Sequence, residues 1–145
     1  MKIAICTSMV FTEEMIKARN YLAGLGHTVY ISSFAPKYIG KTTKQKEKLT
    51  IYHKNNKNAI REFWKKIKLC DVVLVLNYDR HGVKNYIGGN TLMEIGFSHV
   101  LNKKIFLLNP IPKIPYYESE IVAVKPTILN GSIENMNKYL KRESK

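Results

Sequence analysis

Hydrophobic positions along the chain fall into short unbroken runs, separated by stretches in which apolar residues recur every three or four positions. The clearest run is Asp71-Val-Val-Leu-Val-Leu-Asn77. It is too short for a helix and lacks the polar alternation of a half-wet strand, so it predicts a strand buried on both faces. A polar, glycine-containing loop follows from Tyr78 to Asn90, then a helical segment from Thr91 to Asn102 with Leu92, Ile95 and Val100 toward the sheet. A second buried run, Ile105 to Asn109, stops at Pro110. This is one unit of strand, crossover helix and parallel strand, and its loops are where chemistry is expected.

The first third of the chain repeats the alternation. Lys2 to Thr7 reads as a strand, and Thr12 with Glu13 and Glu14 reads as a helix start, a hydroxyl cap with acidic groups at the positive end of the dipole. Met15, Ile16, Ala18, Tyr21 and Leu22 make its apolar face, Gly24-Leu-Gly26 ends it, and His27 to Ser32 supplies a second strand. Residues 33 to 55, broken by Pro36 and Gly40 and polar on every face from Lys41 to Lys48, read as a loop or a solvated helix start with no role in the core. Asn55 to Leu69 has Ile60, Phe63, Trp64 and Ile67 at helical spacing, with Trp64 as a core anchor. From Pro110 to Pro115, three prolines in six positions impose an extended connection that leads to Tyr116 and Tyr117. Glu118 to Val124 reads as a short helix, Pro126 to Leu129 as an edge strand, and Ile133, Met136 and Leu140 as the face of a last helix. About five strands with helices between them predict an α/β fold: a flavodoxin-like three-layer sandwich on a mostly parallel five-stranded sheet, in a single domain over residues 1–145.

Composition narrows the function classes. The longest apolar runs fall far short of a membrane span and no secretory h-region follows Met1, so a soluble, cytoplasmic protein away from membranes is expected. Cys6 and Cys70 stand at the edges of buried strands without metal-ligand spacing, so reduced core thiols are expected, with no metal and no cofactor. The net charge is +13, and eleven Lys/Arg against Glu47 and Glu62 crowd into Lys37–Lys68. Such a field attracts anions, but it lacks interleaved aromatics and any nucleic-acid motif, so a solvated basic surface is favoured over a nucleic-acid site.

In a doubly wound sheet the ligand crevice lies beyond the carboxyl ends of the strands. Here that rim is Thr7-Ser8-Met9, Asn77-Tyr78-Asp79 and Asn109-Pro110, joined by Tyr86-Ile-Gly88-Gly89-Asn90 ahead of the helix. The glycine pair lets backbone approach a ligand, and the first-turn N–H groups then point at it. Thr7, Ser8, Met9, Asn77, Tyr86, Gly88, Gly89 and Asn90 are therefore candidate substrate-binding residues. Glu94 is open to two readings. Thr91-x-x-Glu94 fits a capping box, a structural device; turned instead toward the crevice, with the positive helix end favouring its ionised form, Glu94 is a candidate catalytic carboxylate. Asp79 is either a turn residue or a second catalytic carboxyl. Tyr86 stacks on a ligand or simply packs, while His81 and His99 have no partner at catalytic spacing.

The strand opening Asp71-Val-Val, the polar-glycine loop, Glu94-Ile-Gly96-Phe-Ser, Lys103-Lys104 and the strand Ile105-Phe-Leu-Leu together resemble the core motif of the nucleoside 2-deoxyribosyltransferase superfamily, which includes the 2′-deoxynucleoside 5′-phosphate N-hydrolases. The match covers roughly residues 70 to 110, with Cys6-Thr-Ser-Met9 fitting more loosely. The resemblance implies that Glu94 is a nucleophile attacking C1′ of a deoxyribosyl group, that the base leaves with help from a proton donor, and that water or another base accepts the sugar. It further implies a nucleoside or nucleotide as partner and a homodimer or higher homo-oligomer. The sequence departs from the family in two places. Arg61-Glu62-Phe63-Trp64 offers no firm counterpart of a family acid, leaving Asp79 as candidate, and Tyr86 to Asn90 replaces a serine-glycine phosphate contact. A non-catalytic nucleotide-binding or sensor module on the same fold is the alternative.

Overall fold

The computed structural model describes residues 1–143, with side chains through residue 140. In chain order the elements are β1 (Lys2–Cys6), α1 (Thr12–Gly24), β2 (Thr28–Tyr30), α2 (Thr43–Asn56), α3 (Ala59–Leu69), β3 (Val72–Val75), α4 (Gly89–Val100), β4 (Lys104–Leu107), α5 (Glu118–Ala123), β5 (Thr127–Ile128) and α6 (Asn137–Glu143). The strands form one sheet in the order β2-β1-β3-β4-β5, every neighbouring pair parallel. This is the doubly wound flavodoxin-like order, and the sheet is wholly parallel among the described residues rather than mostly so.

The unbroken apolar runs are explained by position. β1 and β3 lie inside the sheet in register Ile3↔Val72 to Cys6↔Val75, so both faces of each strand are covered. On one face Ile3, Ile5, Val72, Leu74 and Phe106 meet Met15, Ala18 and Leu22 of α1 and Leu140 of α6. On the other, Ala4, Val73, Val75 and Leu107 meet Phe63 and Ile67 of α3, Ile95 of α4 and Ile121 of α5. Cys6 and Cys70 are free, buried thiols. No helix among the described residues is long and apolar enough to cross a membrane.

Four local expectations are corrected. Residues 33–55 do take part in the packing: Ala35 and Tyr38 are each 1% exposed, and α2 buries Lys46 and His53. A capping box closes the start of α2, Thr42 accepting from the Gln45 N–H while Gln45 accepts from the Thr42 N–H. Trp64 is only half-buried, its ring covered by Lys68 Nζ at 4.5 Å, because Phe63 and Ile67 already fill the sheet-facing stripe of α3. Val100, at the last turn of α4, is 78% exposed. Thr12 is the first residue inside α1 and does not cap it; its hydroxyl donates to the Met9 carbonyl in the short turn before the helix.

Candidate active site at the strand ends

The chain passes from β1 to β2 on one side and reaches β3 on the other, so connections leaving β1 and β3 diverge and open a crevice between them. It is a cavity of about 210 Å³. Cys6, Thr7, Ser8 and Met9 line it from the end of β1, and Tyr86, Gly88, Gly89 and Asn90 from the loop and first turn of α4. Thr91 and Glu94 contribute from α4, while Phe34, Tyr38 and His53 form the wall on the β2 side.

Glu94 is the only carboxyl among the described residues that line this cavity. α4 begins at Gly89 with Gly88 as N-cap, and its first helical bond runs from Leu92 N–H to Gly88 O at 2.9 Å. Thr91 is therefore inside the helix, and the capping-box reading of Thr91 and Glu94 fails. Glu94 lies in the second turn, beyond the reach of the positive helix end, whose influence dies out within the first turn. Glu94 is 7% exposed, and its side chain makes no ion pair or hydrogen bond with any described residue. Burial alone therefore governs its acidity, pushing the carboxyl from its ordinary 4.5 up to about 8. The Cys6 thiol beside it is raised too, first by burial and then by the Glu94 charge.

The rim residues divide by what their side chains already hold. Thr7 donates to the Leu76 carbonyl at 2.7 Å, clamping β1 to β3 beyond the last ladder bond. Ser8 accepts from Arg80 Nη1 at 2.7 Å, and Arg80 Nη2 reaches Glu47 of α2 at 2.9 Å, which ties the loop after β3 across the crevice. A Cβ at Gly88 would stand 3.3 Å from the Tyr86 ring, so glycine lets that ring lie against the backbone at the cavity edge. The Asn90 carboxamide oxygen is buried without a partner among the described residues.

Two expected site residues lie outside the cavity lining. Asp79 Oδ1 accepts from the Asn85 N–H at 2.9 Å, the turn-holding role in a loop with Asn85 at φ 58°. Asn77 is 1% exposed and fully engaged: its amide donates to Asn109 O at 2.9 Å and Pro110 O at 3.2 Å, and its oxygen accepts from Asn109 N at 3.0 Å. It thus ties the strand ends that shape the rim. Asn77→Leu strands these buried backbone groups and is expected to lower stability by roughly 2 kcal/mol. A lower urea midpoint with an unchanged m-value is the signature.

Sequence reasoning missed His53, Phe34, Tyr38 and Arg80. The signal for His53 was the Thr42-x-x-Gln45 box followed by Lys46, Thr50 and His53 on one helical face. Lys46 Nζ is spent on Glu13 and on the Val10 carbonyl, 3.3 Å away, which holds α2 over the strand ends. Among the described residues no group of three His, Cys, Asp or Glu is placed to hold a metal ion.

No protein-family model matches the chain, and no curated protein matches it. Among solved structures it is similar to a 2-deoxyribosyltransferase of the psychrotolerant bacterium Bacillus psychrosaccharolyticus, with 22% identity over 74% of this chain and 71% of that one and a TM-score of 0.45. It is also similar to a CMP N-glycosidase of Clostridium botulinum, with 17% identity over 99% of this chain and 98% of that one and a TM-score of 0.49. The doubly wound assignment stands on strand order and register, independently of both likenesses.

Proposed function

We propose that the protein cleaves the N-glycosidic bond of a nucleoside or nucleotide, or transfers its 2-deoxyribosyl group, with Glu94 as nucleophile. The observation that carries this reading is a buried carboxyl without a partner among the described residues, lining a cavity at the switch point of the sheet. The resemblance of residues 70 to 110 to the deoxyribosyltransferase core motif supports the same assignment. Ionised Glu94 attacks C1′ and the base departs with a proton; water or a second base then attacks C1′ and frees the carboxylate. The N–H groups at the start of α4 and the hydroxyl of Ser8 suit the polar groups of the sugar or its phosphate. Action in the cytoplasm as a homodimer or larger homo-oligomer belongs to the same proposal.

Mass-spectrometric screening of deoxynucleosides, ribonucleosides and their 5′-monophosphates for free base tests it, in the presence and absence of a second base as acceptor. Release from at least one class is expected, and no release from any member overturns the proposal. The raised pKa of Glu94 favours one second reading, a non-catalytic binding module, because burial leaves the carboxyl neutral at pH 7. Ligand binding that survives Glu94→Ala, with no product from the wild type, is its mark.

A further inference from the structure

His53 is 2% exposed yet lines the cavity. Its Nδ1 lies 2.8 Å from the Tyr38 hydroxyl, its ring stacks on Phe34 with centroids 4.2 Å apart, and the Tyr52 ring meets it edge-on at 5.7 Å. These contacts fix the ring plane and occupy one nitrogen. The other, Nε2, has no hydrogen bond to any described residue. Nε2 is thus the ring nitrogen left to hydrogen-bond what enters the cavity that His53 lines. Among the described lining residues His53 is the only imidazole and Glu94 the only carboxyl. The order β2-β1-β3-β4 puts them on opposite flanks of the β1–β3 pair, His53 on the wall that follows β2 and Glu94 on the helix that precedes β4.

We infer that His53 is the proton donor to the departing heterocycle, and that His53 and Glu94 share a single proton through the reaction. The inference rests on the proposed glycoside chemistry and supplies the acid that Asp79, outside the cavity, does not. In the reactive form Glu94 is a carboxylate and His53 an imidazolium. A carboxylate oxygen bonds to C1′, the C1′–N bond breaks with its electron pair going to the base, and His53 Nε2 gives that base its proton. The products are a glycosyl ester, a neutral base and a neutral imidazole. Water then attacks C1′, His53 takes the proton, and the ester electron pair returns to Glu94, so protons and charge balance.

The surroundings agree with one shared proton. In the empty site it rests on Glu94, whose carboxyl burial raises, while burial and the charges of Lys37 and Lys57 hold the imidazole below its ordinary 6.5. The other titratable or charged groups around His53 are Tyr38, Tyr52 and Lys54, and those sharing the cavity with Glu94 are Cys6, Tyr86 and Arg80.

The test compares the best substrate of the nucleoside panel with 7-methyl-2′-deoxyguanosine and its 5′-monophosphate, whose cationic base leaves without needing a proton. His53→Gln is expected to slow release of the ordinary base by about 10²–10⁴-fold, while release of 7-methylguanine stays within roughly threefold of wild type. With the ordinary base, wild-type kcat/KM falls above about pH 8 as the shared proton is lost, whereas the residual activity of His53→Gln rises through that range as Glu94 ionises. Equal loss on both substrates, or an unchanged pH profile, overturns the inference. Should His53→Gln not fold, Tyr38→Phe decides: a loss selective for the ordinary base supports the inference, and an unselective one overturns it. A wild type that releases no base from anything overturns the proposed function itself; an active wild type matched by His53→Gln overturns the His53 assignment alone.

Discussion

Glu94→Gln is expected to lower base release by on the order of 10⁴-fold, the scale on which loss of a covalent nucleophile acts, while leaving ligand affinity within about tenfold. Gln keeps the shape and neutrality that the side chain has at pH 7, where burial holds the carboxyl protonated up to about pH 8. The fold therefore sees almost no change, and the reaction loses the only lining carboxyl among the described residues. Single-turnover release of base, with circular dichroism as control, reads the effect. Retention of more than about a tenth of wild-type turnover removes Glu94 as nucleophile.

The same substitution is expected to stabilise the protein at neutral and alkaline pH. Glu94 titrates near 8 when folded against an ordinary 4.5, so between these values the folded state keeps a proton that the unfolded chain has released. Stability consequently falls as pH rises through that window, by about 1.4 kcal/mol per unit. The penalty is absent below pH 4, reaches on the order of 3 kcal/mol at pH 7, and levels off above pH 8. Glu94→Gln removes it, which predicts a melting temperature roughly 10 °C above wild type at pH 8 and no difference at pH 4. Equal melting temperatures at pH 8 show that Glu94 ionises freely in the folded protein.

The central layer was legible because its residues face one environment. Val72 to Val75 and Ile105 to Leu107 are apolar at successive positions, and a strand covered on both faces admits little else. The strand-end site followed from that topology: Thr7, Ser8, Met9, Tyr86, Gly88, Gly89, Asn90 and Glu94 all line the cavity. What resisted reading was α2, whose inward face is Lys46, Thr50 and His53 rather than an apolar stripe. Its hold on the fold comes from polar ties, Lys46 to Glu13 and Glu47 to Arg80, and such pairings across more than thirty positions leave no periodicity. Asn77 and Asp79 resisted reading for a related reason: a polar residue at a strand end serves backbone closure as well as ligands, and only partners tell the two uses apart.

The tether of α2 by side chains, rather than by burial in either sheet layer, separates two jobs within the molecule. Glu94 sits on α4, which is anchored to β3 and β4, whereas the opposite wall, His53 included, belongs to a segment that contributes little to the hydrophobic interior. Substitutions between Phe34 and Lys54 that spare Ala35, Tyr38, Lys46, Glu47 and His53 can thus accumulate without disturbing the strands, and drift there retunes which heterocycle is admitted while Glu94 stays in place.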